Sequence, residues 1–171
     1  MTERPAAVTF KGNPMTLVGN ELKIGRPAPA FTLIGNDMKP KTLADYKGKT
    51  IVLSTVPSLD TAVCDTQTRR FNAEAASLGE DVVVLTVSMD LPMAQKRWCG
   101  AAGVDRVVTL SDYKDHAFGI SYGLRIKELG LIARSVSVID KSGKLTYHQL
   151  VKEVATEPDY TPALEAVKKA K

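Results

Sequence analysis

The sequence predicts an α/β layered fold with a mixed central sheet, and three observations carry that prediction. Apolar, β-branched runs at 51–56, 81–88 and 107–110 are separated by segments of helical periodicity, the pattern of strands joined by right-handed crossover helices. Residues 132–139 and 145–151 flank Lys141-Ser142-Gly143-Lys144, which reads as a turn between antiparallel edge strands. The 171 residues are 44% hydrophobic and 25% charged, which suits one soluble domain over 1–171 whose core needs no covalent staple.

The elements follow in order. Val8-Thr9-Phe10 and Met15-Thr16-Leu17-Val18 flank Lys11-Gly12-Asn13-Pro14, a β-hairpin that makes residues 1–20 an N-terminal extension at the edge of the fold. Residues 28–34 alternate weakly and predict a short strand, and 41–48 predict one helical turn or a loop ending at Gly48. The run 51–56 is too short for a helix and reads as a buried strand. A Pro/Ser/Asp/Thr turn then leads into a helix with Phe71, Ala75 and Leu78 along one stripe and Thr66, Arg69, Arg70 and Glu74 on its polar side. Residues 81–88 hardly alternate, as expected of a central strand covered on both faces. Asp90 is placed to cap the next helix, Pro92 to sit early in it and Gly100 to stop it after Cys99. Residues 112–118 predict a short helix, and Pro162 opens a last one ending at Ala170.

The net charge of +4 is dispersed, and the one dense basic run, Lys168-Lys169-Ala170-Lys171, reads as a solvated helix end rather than a nucleic-acid interface. The N-terminus lacks the basic and apolar regions of a secretory signal, and no run approaches 18 apolar residues, so a cytoplasmic protein without a membrane partner is expected. Two cysteines do not make the disulfide framework of a small secreted domain; they point to transient redox chemistry, metal binding or packing.

Cys64 lies in the first turn of the predicted helix after 51–56, where backbone N–H groups lack intrahelical partners and the helix dipole favours negative charge on sulfur. Pro57, Thr61 and Cys64 form P-x-x-x-T-x-x-C: a fixed turn, a hydroxyl one helical turn from the sulfur, and a nucleophile. The residues alone leave two readings, a reactive thiol or a buried small hydrophobe beside a structural threonine. Cys99, 35 residues on, excludes a C-x-x-C redox motif and by itself reads as packing. A zinc site from Cys64, Cys99, His116 and His148 has no ligand spacing to support it. Arg134 interrupts an apolar strand, on the face of Ile132, Val136 and Val138, and either meets an anion or snorkels to water.

The segment around Cys64 resembles the active-site loop of the peroxiredoxins, and within them the thiol peroxidase subgroup with two cysteines in one subunit. Ser58-Leu59-Asp60-Thr61, Asp90-Leu91-Pro92, Trp98-Cys99-Gly100, Ala133-Arg134-Ser135-Val136 and Glu157-Pro158-Asp159-Tyr160 extend the resemblance in order over nearly the whole chain. Two departures are visible: Ala62 stands where many relatives carry proline, and Asp65 places a carboxylate next to the cysteine, where it opposes thiolate formation yet suits the helix N-terminus.

The resemblance implies a thioredoxin-like fold and a peroxidase acting on hydrogen peroxide and organic hydroperoxides. Cys64 would be the peroxidatic cysteine and Cys99 the resolving one, joined in an intramolecular disulfide that thioredoxin reduces. Thr61 would donate to or orient the peroxide, Arg134 balance charge and Pro57 shield the site. It also implies a homodimer and no metal, flavin or haem. The competing expectation is a non-catalytic thioredoxin-fold module that binds a partner or senses oxidation.

Overall fold

A computed structural model describes all 171 residues. Glu3–Phe10 (β1) and Asn13–Val18 (β2) pair as the expected hairpin, and Arg125–Ile126 (β8) adds a third antiparallel strand to it. The central sheet contains Thr32–Gly35 (β3), Pro40–Thr42 (β4), Thr50–Thr55 (β5), Val82–Ser88 (β6), Val108–Ser111 (β7), Ser135–Ile139 (β9) and Leu145–Leu150 (β10). Its spatial order is β10-β9-β5-β6-β7-β3-β4. The β5-β6-β7 centre is parallel, and β9-β10 and β3-β4 continue it antiparallel on either side. This is the mixed sheet of the thioredoxin-like class. No helix is long and apolar enough to cross a membrane.

The strands at the centre read as continuous apolar runs because both faces are covered. Ile51 and Leu53 point into one core with Leu85, Val87, Leu110, Phe118 and the hairpin residues Val8 and Leu17. Val52 points into the other, with Val84, Val136 and Val138, under Ala62–Leu78 (α1) and Tyr160–Ala170 (α4) through Phe71, Leu78, Ala163 and Val167. Alternation thus sends residue 54 of β5, and residue 134 just before β9, towards the α1 face.

Several boundaries differ from expectation, each for a local reason. The strand expected at 28–34 shrinks to β3, β4 pairs with it at the start of the 41–48 segment, and the helical turn expected there forms at Leu43–Tyr46. Pro92–Ala102 (α2) continues through Gly100, an exposed position where glycine costs only about 1 kcal/mol, and stops at Gly103, whose φ of 65° is the left-handed helix-ending conformation. Asp90 does not cap α2: the N-cap is Leu91, and the Asp90 carboxylate is spent on Ser58, Leu59 and Ser88. The helix expected at 112–118 is Ala117–Ser121 (α3), and Asp112 accepts the N–H groups of Phe118 and Gly119 at its start. The last helix begins at Tyr160, ahead of Pro162, because Asp159 caps it through Thr161 N–H at 3.1 Å. Residue 132 precedes β9, so Ile132 packs in the core opposite to the one holding Val136 and Val138.

The hairpin is tied to the segment after β10. Thr9 N–H donates to the Lys152 carbonyl and Val154 N–H to the Thr9 carbonyl. The Glu153 carboxylate accepts from the N–H groups of Ala155, Gly12 and Lys11 and from the Thr9 hydroxyl. Those donors, Ala155 first, pull its pKa down to about 2.

Candidate active site

The loop between β5 and α1 is held from below by one carboxylate. Asp90 accepts the Ser58 hydroxyl at 2.6 Å, the Leu59 N–H at 2.7 Å and the Ser88 hydroxyl at 2.6 Å. Pro57 is buried at the start of this loop. Thr61 is the N-cap residue of α1; its hydroxyl donates to the Ser58 carbonyl at 2.9 Å, and its own carbonyl accepts Asp65 N–H, the first bond of the helix. Its hydroxyl proton is therefore spent within the loop.

Cys64 follows at the third helical position, fully buried in a small cluster with Val56 and Leu59, against which Trp98 packs. Its sulfur receives a hydrogen bond from Arg134 Nη2 at 3.3 Å. The same guanidinium donates through Nη1 to Gln67 Oε1 at 2.8 Å and through Nε to the Val154 carbonyl at 2.9 Å. Gln67 is anchored in turn, its amide donating to the Ser54 hydroxyl at 2.7 Å. Strand alternation brings Ser54 and Arg134 to this face, and the helical repeat brings Gln67, three residues after Cys64, over the same spot.

Arg134 is 2% exposed, and none of the five ion pairs of the chain includes it. A buried cation is costly without a counter-charge. Of the three atoms it meets, a carbonyl, an amide oxygen and a sulfur, only the sulfur can become an anion. The arginine does not snorkel to water; it is aimed at the thiol.

Asp65 is turned away from that sulfur. Its carboxylate accepts Arg69 Nε at 2.8 Å and the Trp98 indole N–H at 3.1 Å, so its charge is paired on the outer side of the helix. Arg69 also donates to the Ala102 carbonyl at the end of α2, at 3.0 Å.

Cys99 is placed differently. It lies in α2, half-buried, with Sγ 3.6 Å from the Thr109 hydroxyl of β7. Adjacent helical residues point about 100° apart, and here Trp98 faces α1 while Cys99 faces β7. Both thiols are free. The structure brings Cys64 and Arg134 together, sets Pro57 and Thr61 in the loop that leads to Cys64, and leaves Cys99 on the neighbouring helix, with Trp98 on the intervening side. A groove of about 290 Å³ runs outside Leu59 and Trp98, lined also by Asp60, Asp90, Ala94 and Arg97. No three His, Cys, Asp or Glu side chains are gathered as a metal site.

Sequence reasoning missed Gln67, Ser54 and Asp90 as parts of this site. Gln67 sits among polar helix residues that look solvent-facing, and its burial follows only from the arrival of Arg134. Asp90 before Pro92 resembles a cap, and only the tertiary structure sets it beneath the loop.

The chain is similar to known proteins over nearly its whole length. Residues 23–164 match the Redoxin family. The thiol peroxidase of Halalkalibacterium halodurans is 56% identical over 165 residues, covering 96% of this chain and 99% of its own. That of Bacillus subtilis is 56% identical over 163 residues, covering 95% and 97%. Among solved structures, a peroxiredoxin-like protein from Aquifex aeolicus superposes with a TM-score of 0.90 at 43% identity, over 98% of this chain and 99% of its own. A thiol peroxidase from Chromobacterium violaceum shares the fold at a TM-score of 0.85 with 16% identity, over 95% of each chain. A buried thiol at a helix start facing an otherwise unpaired arginine, with identity of this extent over nearly the full length, places the chain in the Redoxin family, among the thiol peroxidases.

Proposed function

We propose that the chain reduces hydrogen peroxide and organic hydroperoxides by a two-cysteine cycle within one subunit. The observation that carries the reading is the buried Arg134, whose only partner able to take a negative charge is the Cys64 sulfur. The Cys64 thiolate attacks the near oxygen of the peroxide. The S–O bond forms as the O–O bond breaks, and water or an alcohol leaves after taking a proton, with Cys64 left as a sulfenic acid. Arg134 stabilises charge on the sulfur and on the departing oxygen. Thr61, its own proton held by Ser58, orients the peroxide by accepting its O–H rather than by donating. Pro57 is one of the buried walls that keep water from the reacting atoms.

Cys99 then condenses with the sulfenic acid. Closing this disulfide contributes roughly 3–4 kcal/mol in the chain-entropy model, offset by the distortion needed to bring α2 to α1. A dithiol reductant, thioredoxin in this reading, returns both cysteines to thiols.

Peroxide consumption with thioredoxin as reductant tests the cycle. Cys64→Ser is expected to abolish it, and Cys99→Ser to allow one turnover and then stop. Peptide mapping after one equivalent of peroxide is expected to find a Cys64–Cys99 bridge within one chain. An interchain bridge overturns the resolving role, and peroxide consumption that survives Cys64→Ser overturns the mechanism. A disulfide that forms but supports no turnover marks a redox sensor instead.

A further inference from the structure

The contacts between α1 and α2 converge on three side chains the cycle above does not use. The Asp65 carboxylate bridges the Arg69 guanidinium and the Trp98 indole N–H. Arg69 reaches on to the Ala102 carbonyl, and its guanidinium carbon lies 5.9 Å from the centroid of the Trp98 ring. Trp98 meanwhile packs against the cluster of Val56, Leu59 and Cys64. The first turns of the helix carrying Cys64 are thus fastened to the C-terminal half of the helix carrying Cys99 by two hydrogen bonds and a cation over an indole ring, while the Asp65–Arg69 ion pair, within α1, holds the two α1 members of the set together.

We propose that Asp65, Arg69 and Trp98 form a clasp that sets the rate at which Cys99 reaches the Cys64 sulfenic acid. The proposal rests on the two-cysteine cycle and deepens it. A disulfide needs the two Cβ atoms within about 4.5 Å of each other. In the reduced protein Cys99 faces Thr109, while the adjacent Trp98 takes the side of α2 that faces the Cys64 cluster. Turning Cys99 inward therefore rotates or unwinds α2 and carries Trp98 and the Ala102 carbonyl away from α1, which breaks the Trp98–Asp65 and Arg69–Ala102 bonds and the Arg69–Trp98 stack.

The chemistry gated by the clasp balances without an outside oxidant. The Cys99 sulfur attacks the Cys64 sulfur, the S–S bond forms, the S–O bond breaks, and the hydroxyl leaves as water with the Cys99 proton. While the clasp stays closed, the sulfenic acid faces only the competing step, attack on a second peroxide molecule. That step gives a sulfinic acid and releases water or an alcohol. The clasp thereby divides Cys64 between the reversible cycle and irreversible oxidation. Asp65 and Arg69 are positioning residues: neither hydrogen-bonds to the sulfur.

Arg69 is half exposed, as its partner Asp65 is by about a third, so each contact is weak and the clasp is adjustable. Trp98 is the only tryptophan of the chain, which makes it a reporter inside the clasp.

The test is single-turnover oxidation of the reduced full-length protein by hydrogen peroxide, followed by tryptophan fluorescence and by rapid quench with thiol alkylation. Arg69→Met is expected to accelerate the peroxide-independent phase, disulfide formation, by about tenfold. Arg69→Lys keeps the charge but not the fork and is expected to fall between it and the parent. The peroxide concentration that converts half of Cys64 to sulfinic acid should rise in Arg69→Met by the same factor. A peroxide-independent rate that is slower, or unchanged within about twofold, in a folded Arg69→Met overturns the clasp. Should that variant not fold, Asp65→Asn, which keeps the shape and an acceptor for Trp98, is expected to accelerate the same phase, and a slower or unchanged rate in it overturns the clasp equally. Failure of the cycle itself looks different: no Cys64–Cys99 bridge forms in the parent protein at all.

Discussion

Cys64 is wholly buried, hydrogen-bonded to a guanidinium, and backed by partners on β5, α1 and the segment after β10. Cys99 is half-buried on an 11-residue helix, with a threonine hydroxyl at 3.6 Å. The two thiols differ because one is enclosed by elements far apart in sequence, whereas the other rests on its own helix and the strand that follows. An enclosed thiol can be given a fixed charge environment, and a thiol that must travel needs few attachments.

The contrast is broken most directly at Arg134. Arg134→Ala removes the cation from the sulfur and leaves Gln67 Oε1 and the Val154 carbonyl without their donor. The second-order rate constant with hydrogen peroxide is expected to fall by about 10²–10³-fold, the scale of losing a donor that stabilises developing charge. A rate unchanged in stopped-flow assay would remove Arg134 from the chemistry. Arg134→Lys should recover little, since one ammonium cannot reach three acceptors in the plane of a guanidinium.

Gln67→Leu sharpens the same contrast, because Gln67 holds Arg134 without bonding to the sulfur. A fall of roughly tenfold in the same rate constant is expected, from a mispointed rather than a missing cation. Gln67→Leu that matches Arg134→Ala would show instead that the whole buried network collapses as a unit.

Acid is expected to weaken the fold through two groups, one of them next to the Val154 carbonyl that receives Arg134. The Glu153 carboxylate, held at about 2 in the fold against 4.5 ordinarily, anchors the segment whose Val154 carbonyl receives Arg134. Because the folded value is the lower, its stabilisation is complete above pH 4.5 and is lost as pH falls towards 2. His148, on β10 with its Nδ1 2.9 Å from the Ser137 hydroxyl, is pulled down to about 4 by burial, with Arg4 adding to the shift and Glu21 opposing it. Its neutral form is the one the fold favours, so its contribution is complete above pH 6.5 and is lost between 6.5 and 4. Thermal midpoints measured across pH should therefore decline in two stages. Glu153→Gln is expected to flatten the lower stage and leave the upper one.

The smallest effect is expected beside Cys99. Thr109→Val removes the hydroxyl near its sulfur, and the peroxide-dependent rate at Cys64 should stay within about twofold of the parent. A larger change would mean that the two thiols are coupled in the reduced state.

Much of this was legible in the residues. The buried strands β5 and β6, the helix carrying Cys64, the antiparallel β9-β10 pair and the N-terminal hairpin follow from apolar runs, turn residues and glycine positions, all local signals. The short elements β4, β8 and α3 were missed or misplaced, because strands of two or three residues and a five-residue helix carry too little periodicity to register. Asp90 shows the limit most plainly: its position before Pro92 suits a cap, and nothing local reveals that Ser58 and Leu59, more than 30 residues earlier, will claim it.

By itself the sequence determined the layered α/β class, the P-x-x-x-T-x-x-C turn and the presence of an arginine where an apolar strand has no use for one. Tertiary structure alone decided that this arginine meets Cys64, that Gln67 and Ser54 aim it, that Asp65 receives the Trp98 indole N–H from the neighbouring helix, and that Cys99 begins the cycle facing away. The physical reason is that strand and helix periods encode which face a side chain takes, while the partner waiting on that face comes from another element, for Arg134 from segments 20 to 70 residues distant, and only folding brings the two together.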